Sequence, residues 1–83
     1  MRESAENMLR RWMALDKQLA DRGSDTGLNL NEFASKWHVD PKTIRRDLAM
    51  FKRLGFPATR MVFEGGIFRW QYLSQQAPMF AVK

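Results

Sequence analysis

The sequence predicts a small α+β domain, mainly helical, in which three helices lead into a C-terminal β-hairpin. Three observations carry this expectation. Apolar residues recur at helical spacing over Ala5, Met8, Leu9, Trp12, Leu15 and Leu19, and again over Ile44, Leu48, Phe51 and Leu54. Asp40-Pro41 and Gly55 bracket the second run with a start signal and a stop signal. Gly65-Gly66 separates two stretches rich in aromatic and β-branched residues, which is the pattern of a hairpin closed by a two-residue turn.

Taken in order, the first stripe predicts a helix over residues 4–21. Residues 22–27 are dense in turn-formers, and Leu28-Asn29-Leu30 alternates apolar and polar as a short strand does. Asn31 is a good N-cap for a short second helix ending near Trp37, with Phe33 and Trp37 four residues apart on one face. His38 and Val39 form the turn into the third helix. That helix has Asp40 as N-cap, Pro41 where no backbone donor is needed, and Gly55 suited to a left-handed stop. Strands follow over 59–63 and 67–72. A turn pairing Glu64 with Ile67 sets Phe63 against Phe68, Met61 against Trp70 and Thr59 against Tyr72, which makes one face of the hairpin aromatic. Residues 73–83 contain a proline and no sustained period, so they read as an arm following a domain over 1–72.

The chain has 83 residues, 14 Lys+Arg and 9 Asp+Glu, for a net charge of +5. Residues 41–60 hold six of the cations and one acid, so the whole excess lies in this stretch. A helical wheel for 41–54 with Ile44 at 0° puts Leu48, Phe51 and Leu54 within about 80° of it, as a core face. Lys42, Arg46, Ala49 and Arg53 fall within about 40° of the opposite pole, flanked by Arg45 and Lys52. Long hydrogen-bonding side chains around a small residue, backed by an apolar face, suit a helix that enters the DNA major groove. Lys42, Thr43 and Arg46 are the candidates for base or phosphate contact. Arg45, Lys52, Arg53 and Arg60 are candidates for phosphate. Asp47 lies beside the core, where it suits orienting an arginine or capping an amide better than reading a base.

The element order is that of a winged helix-turn-helix, with the hairpin as wing. The stretch Thr43-Ile44-Arg45-Arg46-Asp47-Leu48, after Phe33-Ala34 and Val39 and before Gly55, resembles the helix-turn-helix signature of DeoR-type bacterial repressors. Gly55-Phe56-Pro57 followed by a hairpin with Gly65-Gly66 is closer to the N-terminal DNA-binding domain of WYL-domain transcriptional regulators. The likeness covers roughly residues 9 to 72. It implies a repressor-like transcriptional regulator that reads double-stranded DNA. It carries over no small-molecule sensing, because the effector domain of both families has no counterpart in these 83 residues.

Several classes are set aside. The chain has no cysteine, which excludes disulfides, thiolate metal sites and thiol nucleophiles, and a lone His38 makes no metal site. There is no phosphate loop, nucleophile elbow or suggestive carboxylate pair, so neither an enzyme nor a cofactor is expected. No apolar run approaches the ~18 residues of a membrane helix, and the N-terminus lacks a signal-peptide core; a cytoplasmic, nucleoid-associated protein is the expectation. Two readings stay open. One is a DNA-binding regulator, acting as a homodimer through helix 1 or through Met79, Phe80 and Val82 of the arm. The other is a winged-helix module for protein–protein interaction, or an accessory factor of a DNA-processing complex.

Overall fold

Ser4 opens the first helix by local chemistry: its hydroxyl accepts a hydrogen bond from the Asn7 amide at 3.1 Å, one of the donors a helix start leaves unpaired. This computed structural model describes residues 4–22 and 27–80. The turn expected over 22–27 therefore lies, for residues 23–26, outside the described residues, as does Val82 of the arm. Helix α1 spans Ala5–Ala20, with Glu6 in its first turn and Lys17 in its last, each favourable to the helix dipole. Its buried face is not quite the expected stripe. Arg11, Leu15, Asp16 and Leu19 are buried, whereas Ala5 and Leu9 of the stripe are exposed. Two charged residues occupy core positions because each finds partners there, and the helix is rotated to present them.

Leu28 and Trp70 exchange backbone hydrogen bonds at 2.8 and 2.7 Å, which attaches the segment before the second helix to the hairpin by one antiparallel rung. The strand expected over 28–30 is thus reduced to a single bridge. Helix α2 is Leu30–Lys36, and its N-cap is Asn29, whose side chain accepts from the Glu32 amide at 2.9 Å. The expected cap, Asn31, instead lies within the first turn. Asn29 wins because Leu28 is held extended by Trp70, so the chain enters its helix two residues earlier. Past Trp37, His38 adopts a left-handed φ of 55° and turns the chain toward the third helix, the turn role read for it.

Helix α3, Pro41–Arg53, starts and stops as the sequence requires. Asp40 accepts from the Lys42 amide at 2.8 Å, Pro41 occupies the first turn, and Gly55 takes a φ of 84° after the Leu54 cap. Phe56 then donates its amide to the Phe51 carbonyl at 3.0 Å, closing the helix end. Leu54, expected on the core face, is exposed because the helix ends there and the chain turns away. Strands β1, Thr59–Glu64, and β2, Ile67–Tyr72, pair antiparallel in the expected register from Glu64↔Ile67 to Thr59↔Tyr72. Gly65 and Gly66 both have positive φ, 60° and 80°, as the tight hairpin turn demands.

The result is an α+β fold, mainly helical, with three helices and a two-stranded antiparallel hairpin. Its core is Leu15, Leu19, Leu28, Phe33, Ala34, Ile44, Phe51 and Tyr72, with Trp12 edge-on to Phe51 at 5.6 Å. Residues 73–80 form neither helix nor strand, yet they return to this core. Phe80 packs 5.5 Å from Phe56 and 6.3 Å from Phe51, and its amide donates to Asp16 Oδ2 at 2.8 Å.

Asp16 also accepts the Tyr72 hydroxyl, so one buried carboxylate ties α1, β2 and the C-terminal segment together. Burial, then the hydrogen bond to Asp16 and its charge, hold the Tyr72 phenol far above its ordinary 10.0. The unfolded phenol ionises near 10.0 and the folded one only well above it. This contribution to stability is therefore complete below pH 10 and declines as pH rises beyond it. Tyr72 is the only tyrosine, so phenolate absorbance during an alkaline titration reads it directly. The phenol should ionise only as the fold melts, and Tyr72→Phe should cost about 1–3 kcal/mol at neutral pH. Ionisation near pH 10 with the fold intact would contradict this picture.

Candidate nucleic-acid interface

Helix α3 owes its position to α1 through a buried ion pair. Arg11 donates from Nε to Asp47 Oδ2 at 2.6 Å and from its terminal nitrogen to Oδ1 at 3.0 Å, a bidentate geometry in which both residues are almost fully buried. Asp47 thus orients an arginine, one of the two structural roles the wheel assigned to it. The pair fixes the rotation of α3 about its axis, since Ile44 and Phe51 are buried on the same side and Leu48 is half-buried. It also removes the only acid of residues 41–60 from the surface.

The opposite side of α3 is the basic face that the wheel anticipates. Lys42, Arg45, Arg46, Ala49, Lys52 and Arg53 are all exposed, and Thr43 is half-buried in the first turn. Among the described residues, no ion pair or side-chain hydrogen bond engages the head groups of these five cations. They remain available to an external anion, and the small Ala49 leaves the middle of the face open to close approach.

Arg60 is placed differently. It lies on the outward side of the hairpin, opposite the side that carries Met61, Trp70 and Tyr72, and donates twice to Gln71 Oε1 at 3.2 and 3.0 Å. Arg22 reaches the same oxygen and the Tyr72 carbonyl, so the two guanidinium groups share one acceptor. This makes a small second basic locus, which is not part of the α3 face. Arg22 escaped the sequence reading because nothing local ties residue 22 to residue 71. The role of Arg11 did leave a signal: Arg11 and Asp47 are opposite charges that each interrupt an apolar stripe, which is the pattern of a pair made across the core.

A groove of about 520 Å³ runs between α3 and the hairpin, lined by Arg45 on one side and Met61, Ile67, Phe68 and Trp70 on the other. The start of α2 closes it with Asn29, Leu30 and Asn31. Phe63 and Phe68, paired on the aromatic face of the hairpin as expected, are 62% and 53% exposed, because the hairpin extends beyond the helices that cover its base. Among the described residues there is no group of three or more His, Asp or Glu able to hold a metal ion, and no helix long and apolar enough to cross a membrane. No protein-family model, curated protein or solved structure matches the chain.

Proposed function

We propose that this chain is a sequence-specific double-stranded DNA-binding protein of winged helix-turn-helix type, similar to DeoR and WYL-domain regulators, and acts in transcriptional regulation as a repressor. The observation that carries the reading is the basic face of α3: five exposed cations around Ala49, with the only acid within the helix, Asp47, withdrawn into the core by Arg11. In this reading α3 enters the major groove. Lys42, Thr43 and Arg46 contact base edges or nearby phosphates, Arg45, Lys52 and Arg53 hold the backbone, and the hairpin lies on the flanking duplex with Arg60 toward phosphate.

A single such module offers a limited interface, so a homodimer on a pseudo-palindromic site is the natural working form. Exposed Leu9 and Met13 on α1, and Met79 in the C-terminal segment, supply apolar surface for that contact. The exposed aromatic hairpin favours a second reading, a protein-interaction module whose cations are only solvated.

Selection from a pool of random duplexes, followed by titration at several salt concentrations, tests the first reading. Enrichment of one site is expected, with log K falling by about 0.9 per log unit of salt for each phosphate neutralised. Binding that is undetectable, or insensitive to salt, refutes the DNA reading and favours the second.

A further inference from the structure

The hairpin tip presents apolar surface that the proposed contacts of α3 leave unused. Met61, Phe63 and Phe68 lie on one side of the ladder with Trp70 and Tyr72, and exposure rises along that side from buried Tyr72 to Phe63 at 62%. Phe63 and Phe68 pack against each other across the strands with ring centroids 4.6 Å apart, so their rotamers are restrained before any partner arrives. Ile67, paired with Glu64 beside the turn, projects from the opposite side of the ladder and is 39% exposed. The hairpin's only acid, Glu64, belongs with Arg60 and Val62 to the other side of the ladder.

Charge indicates what would meet this tip. Phe68 and Ile67 line the same groove as Arg45, and Arg45 belongs to the basic face of α3. A partner on this side must accept cations and an apolar aromatic projection together. Duplex DNA does so where a base step unstacks, since proteins that insert Phe, Ile or Met between base pairs bend the helix by about 20–90°. The reach is sufficient. From Trp70, where Leu28 still covers the strand, two residues to Phe68 advance about 7 Å, comparable to a minor-groove depth of about 7.5 Å.

We propose that the Phe63–Phe68 pair is a wedge that enters the minor groove beside the α3 site and bends the DNA. This rests on the DNA-binding reading and specifies what the hairpin does within it.

The probe is a mixed-sequence duplex of about 30 bp with a central TA step, a flexible step that kinks readily. It carries fluorophores at both ends for energy transfer, and a matched duplex has 2-aminopurine at the step. At low salt the wild-type chain should bind, raise energy transfer and brighten the 2-aminopurine as it unstacks. Phe63→Ala/Phe68→Ala should bind with an unchanged salt slope but lose both signals. Both rings are more than half exposed, so the variant should keep the wild-type thermal melt; Phe63→Ala alone, at the more exposed ring, gives a second reading with partial loss. Wild-type binding without bending, or an undiminished bend in the double variant, overturns the wedge while leaving DNA binding intact. Absence of wild-type binding overturns the DNA reading itself. A self-associated form that the double variant abolishes, with bending untouched, assigns the tip to a second copy instead and likewise overturns the wedge.

Discussion

Arg46→Ala is expected to weaken binding to the selected DNA site by about 1–3 kcal/mol and to relax preference at one base position. Arg46 stands opposite the core face of α3 in its second turn, exposed, and among the described residues no ion pair engages it. An arginine so placed can present two parallel donors to a guanine edge, and each good bidentate pair discriminates by about that energy. Arg53→Ala, at the far end of the same helix, provides the contrast. It should lower affinity evenly across sequences and reduce the salt slope by about 0.9, the signature of one lost phosphate contact. Repeating the duplex selection and the salt titration with both variants separates these effects. If Arg46→Ala leaves the selected motif unchanged, base readout belongs to Lys42 or Thr43 and the assignment to Arg46 is wrong.

Asp47→Ala is expected to produce the largest loss of stability of any single change at the site. It strands the Arg11 guanidinium at 2% exposure with neither of its two carboxylate hydrogen bonds. Breaking one side of a buried pair costs about 3–5 kcal/mol, because the remaining charge stays desolvated without its carboxylate. A chain of this length has roughly 4–12 kcal/mol in total. The melting midpoint should therefore fall by about 12–40 °C, and DNA binding should fail with it. Arg11→Met/Asp47→Leu removes both charges and keeps apolar volume at the contact, so it should recover most of the stability. A double variant no more stable than Asp47→Ala would show that the pair itself, rather than the avoidance of a stranded charge, holds α1 to α3. Thermal melts of the three proteins decide between these outcomes.

The two expectations are linked through α3. The bidentate pair sets the rotation of the helix that presents Arg46, and it buries the only acid within that helix. A buried ion pair is weak evidence for stability as such. Here it gives orientation, since an apolar contact alone tolerates more rotation about the helix axis than two directional hydrogen bonds do.

Whatever is local was legible in the sequence. Asp40-Pro41 and Gly55 fixed both ends of α3, because caps act through amides and carbonyls within a few residues. Gly65-Gly66 fixed the hairpin register, since a two-residue turn leaves only one pairing. The wheel placed the exposed cations correctly, because a buried apolar stripe leaves them one side to occupy. What failed depended on partners distant in the chain. Asn29 displaced Asn31 as the cap of α2 because Trp70 held Leu28; Arg11 and Asp16 took core positions because Asp47, Tyr72 and Phe80 met them. By itself the sequence determined the elements and the basic face of the third helix, for these follow from periodicity and capping. The tertiary structure alone decided which charges are withdrawn and which aromatic rings stand free, because burial belongs to the packed arrangement and no residue carries it alone.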